Sequence, residues 1–341
     1  MSTQHLDISK LQDYLADTIP GFSGELTAEK FAGGQSNPTF KLSAGGKDYV
    51  LRRKPPGELL KSAHAVDREF RVISALADTD VPVPKTYCLC EDESIVGSMF
   101  YVMEYLEGRV FWDPTLPEID SNDERAAIYD DMNRVLAALH NVDPDAVGLS
   151  DFGRPGNYFE RQVSRWTKQY RASETEHSTA METLIEWLPA NMPADDGVVS
   201  LVHGDYRLDN VMYHPTEPRI IAVLDWELST LGHPLADLAY QVMAWQLPGD
   251  GSLKGMAEID RGSLGLPTDE EYIARYCERT GRDSIDNWNF YIVFCFFRLA
   301  AILQGVKKRA LIGTASSAEA KAKGELVEPL AALGVNVINQ S

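Results

Sequence analysis

Two short apolar runs, each followed at once by polar side chains, constrain this chain more than any other feature. Leu201-Val202 leads into His203-Gly204-Asp205, and Asn210 follows Asp205 by five positions. A second apolar run, Ile220–Leu224, leads into Asp225. Short apolar runs of this kind are typical of buried strands, so two carboxylates and one amide are expected where strands end. Asn210 and Asp225 are hard oxygen ligands of the kind that Mg²⁺ prefers, and Asp205 is suited to orient a hydroxyl and accept its proton.

The pattern of the chain changes near residues 105–109. Before this point strand-like runs dominate, and Gly45-Gly46 between Thr39–Leu42 and Tyr49–Leu51 predicts a hairpin. The spacing of apolar residues in 64–77 predicts one long helix. Beyond 109 we predict strands at 199–203, 211–213 and 220–225, helices at 121–140, 234–246, 269–281 and 286–310, and a surface loop at 247–268.

The pattern His-Gly-Asp-x₄-Asn, with a further Asp fifteen residues after the Asn, resembles the catalytic loop and metal-binding Asp of the aminoglycoside phosphotransferase family. The resemblance covers nearly the whole chain and implies an α+β, protein-kinase-like bilobal fold. Residues 1–106 would form a small antiparallel-sheet N-lobe that binds the nucleotide, and residues 107–341 a larger, mainly helical catalytic and substrate lobe. It further implies ATP and Mg²⁺ as cofactors, Asp205 as the catalytic residue, and Asn210 and Asp225 as metal ligands.

Val50 and Arg52 share one face of a predicted strand, in the register of the strand that carries the phosphate-binding Lys in kinases. The resemblance implies that Val50 covers the adenine and that Arg52 replaces this Lys, a departure from the family pattern. Glu69 would pair with the phosphate-binding cation. Three alternatives stay open: Lys54 takes the role of Arg52, the basic run is a solvated turn before Pro55-Pro56, or Glu69 is a surface residue.

The resemblance implies two further contacts with the nucleotide. Gly34 and Ser36 would lie over the phosphates through backbone N–H groups and the Ser36 hydroxyl. Glu104 and Tyr105 belong to the run Phe100–Gly108, which resembles the connector between the lobes. Its backbone would pair with the adenine edge.

Three residues are assigned supporting roles. We expect His203 to hold the catalytic loop by hydrogen bonds and His140 to be a core or helix-capping residue. Asp237 matches a family motif and is expected to fix the catalytic loop by accepting from backbone N–H groups.

The implied reaction transfers the γ-phosphate of ATP to a hydroxyl. The chain passes from Asp225 almost directly to Gly232-His233-Pro234, which leaves little room for a peptide platform and favours a small-molecule acceptor. Aminoglycosides or amino sugars are one candidate. The alternative of a different class is a non-catalytic kinase-like module that binds a nucleotide or a partner, and Arg52 keeps it open.

A second candidate acceptor follows from a closer resemblance, to the phosphotransferase-like domain joined to acyl-CoA dehydrogenase domains. Tyr49–Gly57, His203–Asn210 and Phe297–Gly313 carry this resemblance. It favours a hydroxyacyl or acyl-CoA compound, with Arg298 and Lys307-Lys308-Arg309 meeting its anionic group.

Composition limits the partners. The 341 residues include 32 Lys and Arg against 51 Asp and Glu, a net charge of −19, which argues against nucleic acids and anionic membranes. The four cysteines are too few for a disulfide scaffold. The N-terminus lacks the apolar segment of a signal peptide, and the apolar run Phe290–Phe297, extended to Leu303, is shorter than a membrane span, so we interpret it as a buried helix. We expect a cytoplasmic protein that binds a hydroxylated small molecule, and we leave a homodimer open.

Overall fold

The computed structural model describes residues 6–31, 37–55, 65–249, 253–313 and 320–340. The strands in these residues are β1 (Thr27–Lys30), β2 (Thr39–Ala44), β3 (Lys47–Arg53), β4 (Thr86–Cys90), β5 (Phe100–Glu104), β6 (Ser200–Val202), β7 (Val211–Tyr213), β8 (Ile220–Val223) and β9 (Thr230–Gly232). The α-helices are α1 (Ile8–Thr18), α2 (Val66–Ala75), α3 (Glu93–Val96), α4 (Asn122–His140), α5 (Tyr158–Ser173), α6 (Thr179–Ala190), α7 (Leu235–Trp245), α8 (Asp269–Thr280), α9 (Trp288–Leu311), α10 (Ala320–Gly324) and α11 (Val327–Asn339).

Packing divides the chain into two compact units. Unit 1 comprises Met1–Val110, Val147–Leu149 and Asn210–Ser229, and unit 2 comprises Phe111–Ala146, Ser150–Asp209 and Thr230–Ser341. The β7–β8 hairpin therefore packs with the first hundred residues, although it lies a hundred residues further along the chain. The assignment of lobes to 1–106 and 107–341 stays a prediction.

The sheet of unit 1 is antiparallel, with its strands in the order β1-β2-β3-β5-β4. Ala44 pairs with Lys47, so Gly45 and Gly46 form the turn of the β2–β3 hairpin. Their φ angles of 56° and 76° lie in the left-handed region that favours glycine. The hairpin predicted from the sequence is confirmed.

The two faces of β3 have different surroundings, because side chains alternate across a strand. Tyr49 and Leu51 point into the hydrophobic core of unit 1. Val50 and Arg52 consequently lie on the opposite face of the sheet. Glu69 of α2, which is only 1% exposed, meets Arg52 on that face.

Unit 2 is mainly helical and is built around α9, which packs against α5, α6, α7, α10 and α11. Within the described ranges, α9 is the one helix long and apolar enough to cross a membrane. It begins at Trp288 and ends at Leu311, so the helix predicted at 286–310 is confirmed, whereas the expectation that this segment is shorter than a membrane span is wrong. However, 83% of its most apolar stretch is buried inside the protein, as expected for a core helix.

Candidate active site

The β7–β8 hairpin positions the two predicted metal ligands in unit 1. Val211 pairs with Val223, and the Leu224 N–H donates to the Asn210 carbonyl at 2.8 Å. Asn210 is thereby set beside the segment that ends in Asp225. Asp225 has φ 61° and ψ 59°, a left-handed conformation that is uncommon outside glycine and that recurs at functional sites.

The backbone after Asp225 is tied down by Trp226. The buried indole of Trp226 donates from Nε1 to the Val223 carbonyl at 2.9 Å, and the Ser229 hydroxyl donates to the Trp226 carbonyl at 2.6 Å. Arg68 of α2 donates to the Ser229 carbonyl at 3.3 Å. The turn that carries Asp225 is thus attached both to β8 and to α2.

Arg52 lies between two carboxylates in unit 1. Its Nη2 donates to Asp225 Oδ1 at 2.6 Å, and its Nε lies 2.8 Å from Glu69 Oε2. The second contact is an ion pair rather than a hydrogen bond, because the Nε–H is not aligned with an acceptor. Burial alone would lower the pKa of Arg52, but attraction by Glu69, Tyr101 and Asp225 outweighs it and raises that pKa. Arg52 is therefore a permanent cation held in one orientation.

Glu69 is satisfied by neutral donors as well as by Arg52. Asn37 donates from Nδ2 at 2.8 Å, and the Tyr101 hydroxyl donates at 3.1 Å. Burial, reinforced by the Asp225 carboxylate, raises the pKa of Glu69 to about 7, and the Arg52 charge only partly opposes this. The structure thus brings Glu69 and Arg52 together, and the alternative of a surface Glu69 is wrong.

The predicted connector residues have their own contacts. Glu104 is the last residue of β5, and its carboxylate accepts from the Lys85 N–H at 3.2 Å. The Tyr105 ring lies under the Lys41 ammonium, 4.3 Å from the ring centroid. These contacts fix both side chains, and the nucleotide contact assigned to them stays a prediction.

Three predicted residues complete the nucleotide-binding set. Val50 is buried and pairs with Met103 across the β3–β5 ladder, on the sheet face shared with Arg52. Gly34 and Ser36 lie outside the described residues. Their contact with the phosphates stays a prediction.

In unit 2, Asp237 holds the loop that carries Asp205. Asp237 lies on α7 and accepts from the backbone N–H groups of His203 at 2.7 Å and Gly204 at 2.8 Å. His140 Nε2 lies 3.3 Å from the same carboxylate. Burial alone would raise the pKa of Asp237, but the hydrogen bond and charge of His140 outweigh it and lower that pKa. The bracing role expected for Asp237 is confirmed.

The carboxylate of Asp205 is partly exposed and has cationic and phenolic neighbours. The Asp205 N–H donates to His203 Nδ1 at 3.2 Å, as expected for a His that holds the loop. Arg207 Nε lies 3.4 Å from Asp205 Oδ1, and its Nη2 donates to Asp209 at 2.8 Å. Burial and the nearby Asp205 carboxylate together raise the pKa of the Tyr240 hydroxyl.

Arg298 supports the same loop from α9. It is buried and donates from Nη2 to the Gly204 carbonyl at 2.7 Å. Its guanidinium carbon lies 5.4 Å from the Tyr240 ring centroid and 6.0 Å from that of Trp166. Arg298 therefore supports the loop backbone, and the contact with an anionic substrate group expected for it stays a prediction.

A cavity of about 500 Å³ in unit 2 adjoins this loop, and we call it the loop pocket. Its size is typical of small-molecule sites. Aromatic, aliphatic and charged side chains line it, and they include Trp112, Arg207, Asp209, Tyr240, Met243, Leu247, Lys254, Leu299 and Lys323. The lining thus contains three cations and one carboxylate, Asp209, which accepts from Arg207; Lys254 pairs with Asp113 at 3.2 Å.

A second acidic group in unit 2 has metal-ligating chemistry: Glu174, His177 and Glu182. Arg171 lies 3.6 Å from the Glu174 carboxylate and also pairs with Glu182. Both carboxylates thus already have a cation.

Sequence reasoning missed several supports of the site. Asn37 and Tyr101 were not assigned, although Tyr101 stands two residues before Met103 on the face of β5 opposite the core. Arg298 was assigned a different contact. The charge within the apolar run of α9 was the available signal, because a buried Arg needs a polar partner.

The comparisons with known proteins agree with this geometry. Residues 27–283 match the profile of the phosphotransferase enzyme family. The chain is 51% identical to acyl-CoA dehydrogenase family member 10 of Mus musculus over 325 residues, which cover 95% of this chain and 30% of that protein. It is 44% identical to acyl-CoA dehydrogenase family member 11 of Homo sapiens over 340 residues, which cover 98% of this chain and 43% of that protein. The chain thus spans less than half the length of these relatives.

Solved structures extend the comparison. The crystal structure of a candidate aminoglycoside phosphotransferase from Ralstonia eutropha has a TM-score of 0.92 and 52% identity, and the match covers 98% of this chain and 99% of that one. A thermostable mutant of aminoglycoside phosphotransferase APH(4)-Ia, in ternary complex with AMP-PNP and hygromycin B, has a TM-score of 0.64 at 15% identity, and the match covers 97% of this chain and 100% of that one. The expected α+β, protein-kinase-like fold is confirmed, and the chain belongs to the phosphotransferase enzyme family.

Proposed function

We propose that this phosphotransferase moves the γ-phosphate of ATP, with Mg²⁺, to a hydroxyl of a small molecule. The observation that carries the proposal is the position of Arg52, held between Glu69 and Asp225 as a permanent cation. An Arg fork matches the geometry of phosphate oxygens. Arg52 would therefore serve where kinases use a Lys, and Glu69 would orient it.

Asn210 and Asp225 would hold the Mg²⁺. Their amide and carboxylate oxygens fit a small hard cation, and the Leu224 N–H bond to Asn210 keeps the two residues on neighbouring strand ends. The bound ion would neutralise charge on the phosphate oxygens. Arg52 would do the same from the sheet, and Val50, Glu104, Tyr105, Gly34 and Ser36 would bind the rest of the nucleotide.

Asp205 would position the acceptor hydroxyl and take its proton. The hydroxyl oxygen forms a bond to the γ-phosphorus, the bond from that phosphorus to the bridging oxygen breaks, and ADP leaves. Asp237 and Arg298 hold the loop backbone next to Asp205, so little reorganisation is needed at the moment of transfer.

The loop pocket favours one class of acceptor. Its Leu and Met side chains suit an aliphatic chain, and Arg207, Lys254 and Lys323 suit an anionic group. A polycationic aminoglycoside would be repelled by these three cations, although Arg207 pairs with Asp209 and Lys254 pairs with Asp113. We therefore place a hydroxyacyl or acyl-CoA compound ahead of an aminoglycoside, and the similarity to the acyl-CoA dehydrogenase family members supports this order.

A non-catalytic nucleotide-binding module is the second candidate. The replacement of the usual Lys by Arg52, whose fork is already engaged by Asp225, favours it. The two candidates differ in one observable, because only an enzyme releases ADP in proportion to the acceptor.

The test is ADP release with Mg·ATP and a panel of hydroxyacyl-CoA compounds and aminoglycosides. We expect acceptor-dependent turnover on the hydroxyacyl compounds, and a loss of at least about a hundredfold in Asp205→Asn with ATP binding retained. Asp283→Asn, an equal change at an exposed carboxylate of unit 2, should turn over normally. An unchanged rate in Asp205→Asn would remove Asp205 from the mechanism, and ATP binding without turnover on any acceptor would favour the non-catalytic module.

A further inference from the structure

Helix α5 presents three cations on one face. Arg161, Arg165 and Lys168 follow one another at intervals of four and three residues, which places their side chains along one side of a helix. With Arg154 from the preceding loop, they line a cavity of about 810 Å³ in unit 2, which we call the cationic groove. Ser164, on the same helix, adds a hydroxyl to this lining.

These four cations have no acidic partner within the part of the chain that the structure describes. Arg161 donates to two backbone carbonyls of the preceding loop, those of Arg154 and Pro155. Arg165 lies over the ring of Trp166, 5.4 Å from its centroid. The positive charges of Arg161 and Arg165 are thus oriented by neutral groups, and no described carboxylate neutralises them.

Two carboxylates, Glu160 and Asp195, also line the cationic groove. The Asp195 carboxylate accepts from the backbone N–H of Asn157 at 2.9 Å and from that of Gly197 at 3.4 Å. It is therefore bound to the backbone near the start of α5 and not to the cations. Cations outnumber carboxylates two to one in the groove.

This local excess of cations is unusual for a chain with this composition. The protein carries 51 acidic against 32 basic residues, so most cations should find a carboxylate nearby. Four that form no ion pair with a described carboxylate, gathered in one concave surface, create a local positive potential in a protein of net charge −19. Such a potential stabilises an anion from solution.

The geometry restricts the anion. Arg161 and Lys168 are seven residues apart, which is about 10 Å along a helix and more than one phosphate group spans. Guanidinium forks favour phosphate oxygens. A long polyanion or an anionic membrane would also meet the acidic remainder of the protein, whereas a compact anion responds to charges within a Debye length of about 8 Å.

We infer that the cationic groove binds a small molecule that carries two or more phosphate groups. None of its lining residues belongs to the sets assigned above to the nucleotide, the metal or the loop pocket. The inference therefore does not depend on the proposed function.

Isothermal titration with inorganic tripolyphosphate tests it, in EDTA and at an ionic strength of about 0.15 M. We expect saturable one-to-one binding to the wild-type protein, and orthophosphate should bind roughly tenfold or more weakly. Arg165→Gln/Lys168→Gln should weaken tripolyphosphate binding by about tenfold or more. Both side chains are exposed, so this variant should keep its circular dichroism and its melting temperature.

Two controls make the result decisive. Lys30→Gln/Lys47→Gln removes the same charge from exposed positions of unit 1 and should bind as the wild type does. Equally weakened tripolyphosphate binding in this control would show that the effect depends only on net charge, and it would overturn the inference. Wild-type affinity in Arg165→Gln/Lys168→Gln, or no binding to the wild-type protein, would also overturn the inference. Loss of the binding signal in Arg52→Gln would overturn it too, because it would place the anion at the proposed nucleotide site.

Discussion

The guanidinium of Arg52 donates to the carboxylate of Asp225 at 2.6 Å and joins two residues that are 173 positions apart in the chain. The same guanidinium is in ion-pair contact with Glu69. The residue proposed to bind phosphate and the residue proposed to bind metal thus share one contact. A phosphate group that reaches Arg52 would compete with Asp225 for the Arg52 guanidinium. Nucleotide binding would therefore be coupled to release of the Asp225 carboxylate from Arg52.

Removing the Arg52 charge should destabilise the protein. In Arg52→Gln, buried Glu69 loses its cation, and uncompensated buried charges of this kind cost about 3 kcal/mol. Urea unfolding at pH 8, above the pKa of about 7 that Glu69 has in the wild type, measures this change in the free energy of unfolding. Arg219→Gln is the matched control, because its pair with Glu217 is half-exposed on both sides and should contribute roughly 0–1 kcal/mol. Equal losses in the two variants would contradict the bridging role of Arg52.

Replacing Asp237, which binds the loop backbone and is not assigned a substrate contact, should weaken the hydrogen bonds that hold the catalytic loop. In Asp237→Asn, an NH₂ group replaces one of the two carboxylate oxygens that accept from the backbone N–H groups of His203 and Gly204. One of these two donors therefore loses its acceptor. We expect a loss of about 1–3 kcal/mol in the free energy of unfolding. Turnover should fall, with little change in the KM for ATP. A fall in stability with unchanged turnover per folded molecule would show that the loop does not need this brace.

Stability should depend on pH through Glu69. Its pKa is raised from 4.5 to about 7 in the folded protein, so the folded state binds the proton more tightly than the unfolded chain. This contribution is fully present below pH 4.5 and is lost as pH rises through about 7. Glu69→Gln should therefore flatten the decline in unfolding free energy between pH 5 and 7.5.

Chemical unfolding across that range checks the prediction, with Glu29→Gln, an exposed glutamate of the same unit, as the control. The control should retain the wild-type slope. An identical slope in Glu69→Gln would mean that the Glu69 carboxyl is not protonated in the folded state near neutral pH.

The loop pocket should discriminate acceptors by charge. Lys323→Gln removes one of its three cations, and Lys321→Gln makes the same change at an exposed neighbour on α10. We expect the KM for an anionic acceptor to rise about tenfold in Lys323→Gln only, with the KM for ATP unchanged. If both variants respond alike, the acceptor does not occupy this pocket.

Local signals in the sequence predicted much of the fold. The hairpin at Gly45-Gly46 follows from turn chemistry, and the helices at 121–140, 234–246 and 269–281 were placed within one residue of α4, α7 and α8 by their apolar spacing. The segment 247–268 contains only a short 3₁₀ turn, Gly262–Leu264, among its described residues. Each of these features depends on neighbours in sequence, where periodicity is informative.

Contacts between distant segments could not be predicted in the same way. The Arg52–Glu69 pair was expected only from the resemblance, and nothing in the sequence indicates that Asp225 binds the same guanidinium. The contact of Arg298 with the Gly204 carbonyl could not be predicted either, because the burial of Arg298 and its position beside that carbonyl are set by the fold. The cationic groove left a readable signal, the spacing of Arg161, Arg165 and Lys168. That these cations form no ion pair with any described carboxylate is a property of the fold.

The most direct test of the central claim is the melting temperature with and without Mg·ATP, for the wild type and Asp225→Ala. A ligand at about 100 times its Kd adds roughly 2.7 kcal/mol of stability, which is a shift of a few degrees for a chain of this size. We predict a shift that requires both Mg²⁺ and ATP in the wild type and that is absent in Asp225→Ala. No shift in the wild type, or an equal shift in the variant, would contradict a metal-dependent nucleotide site built on Asp225.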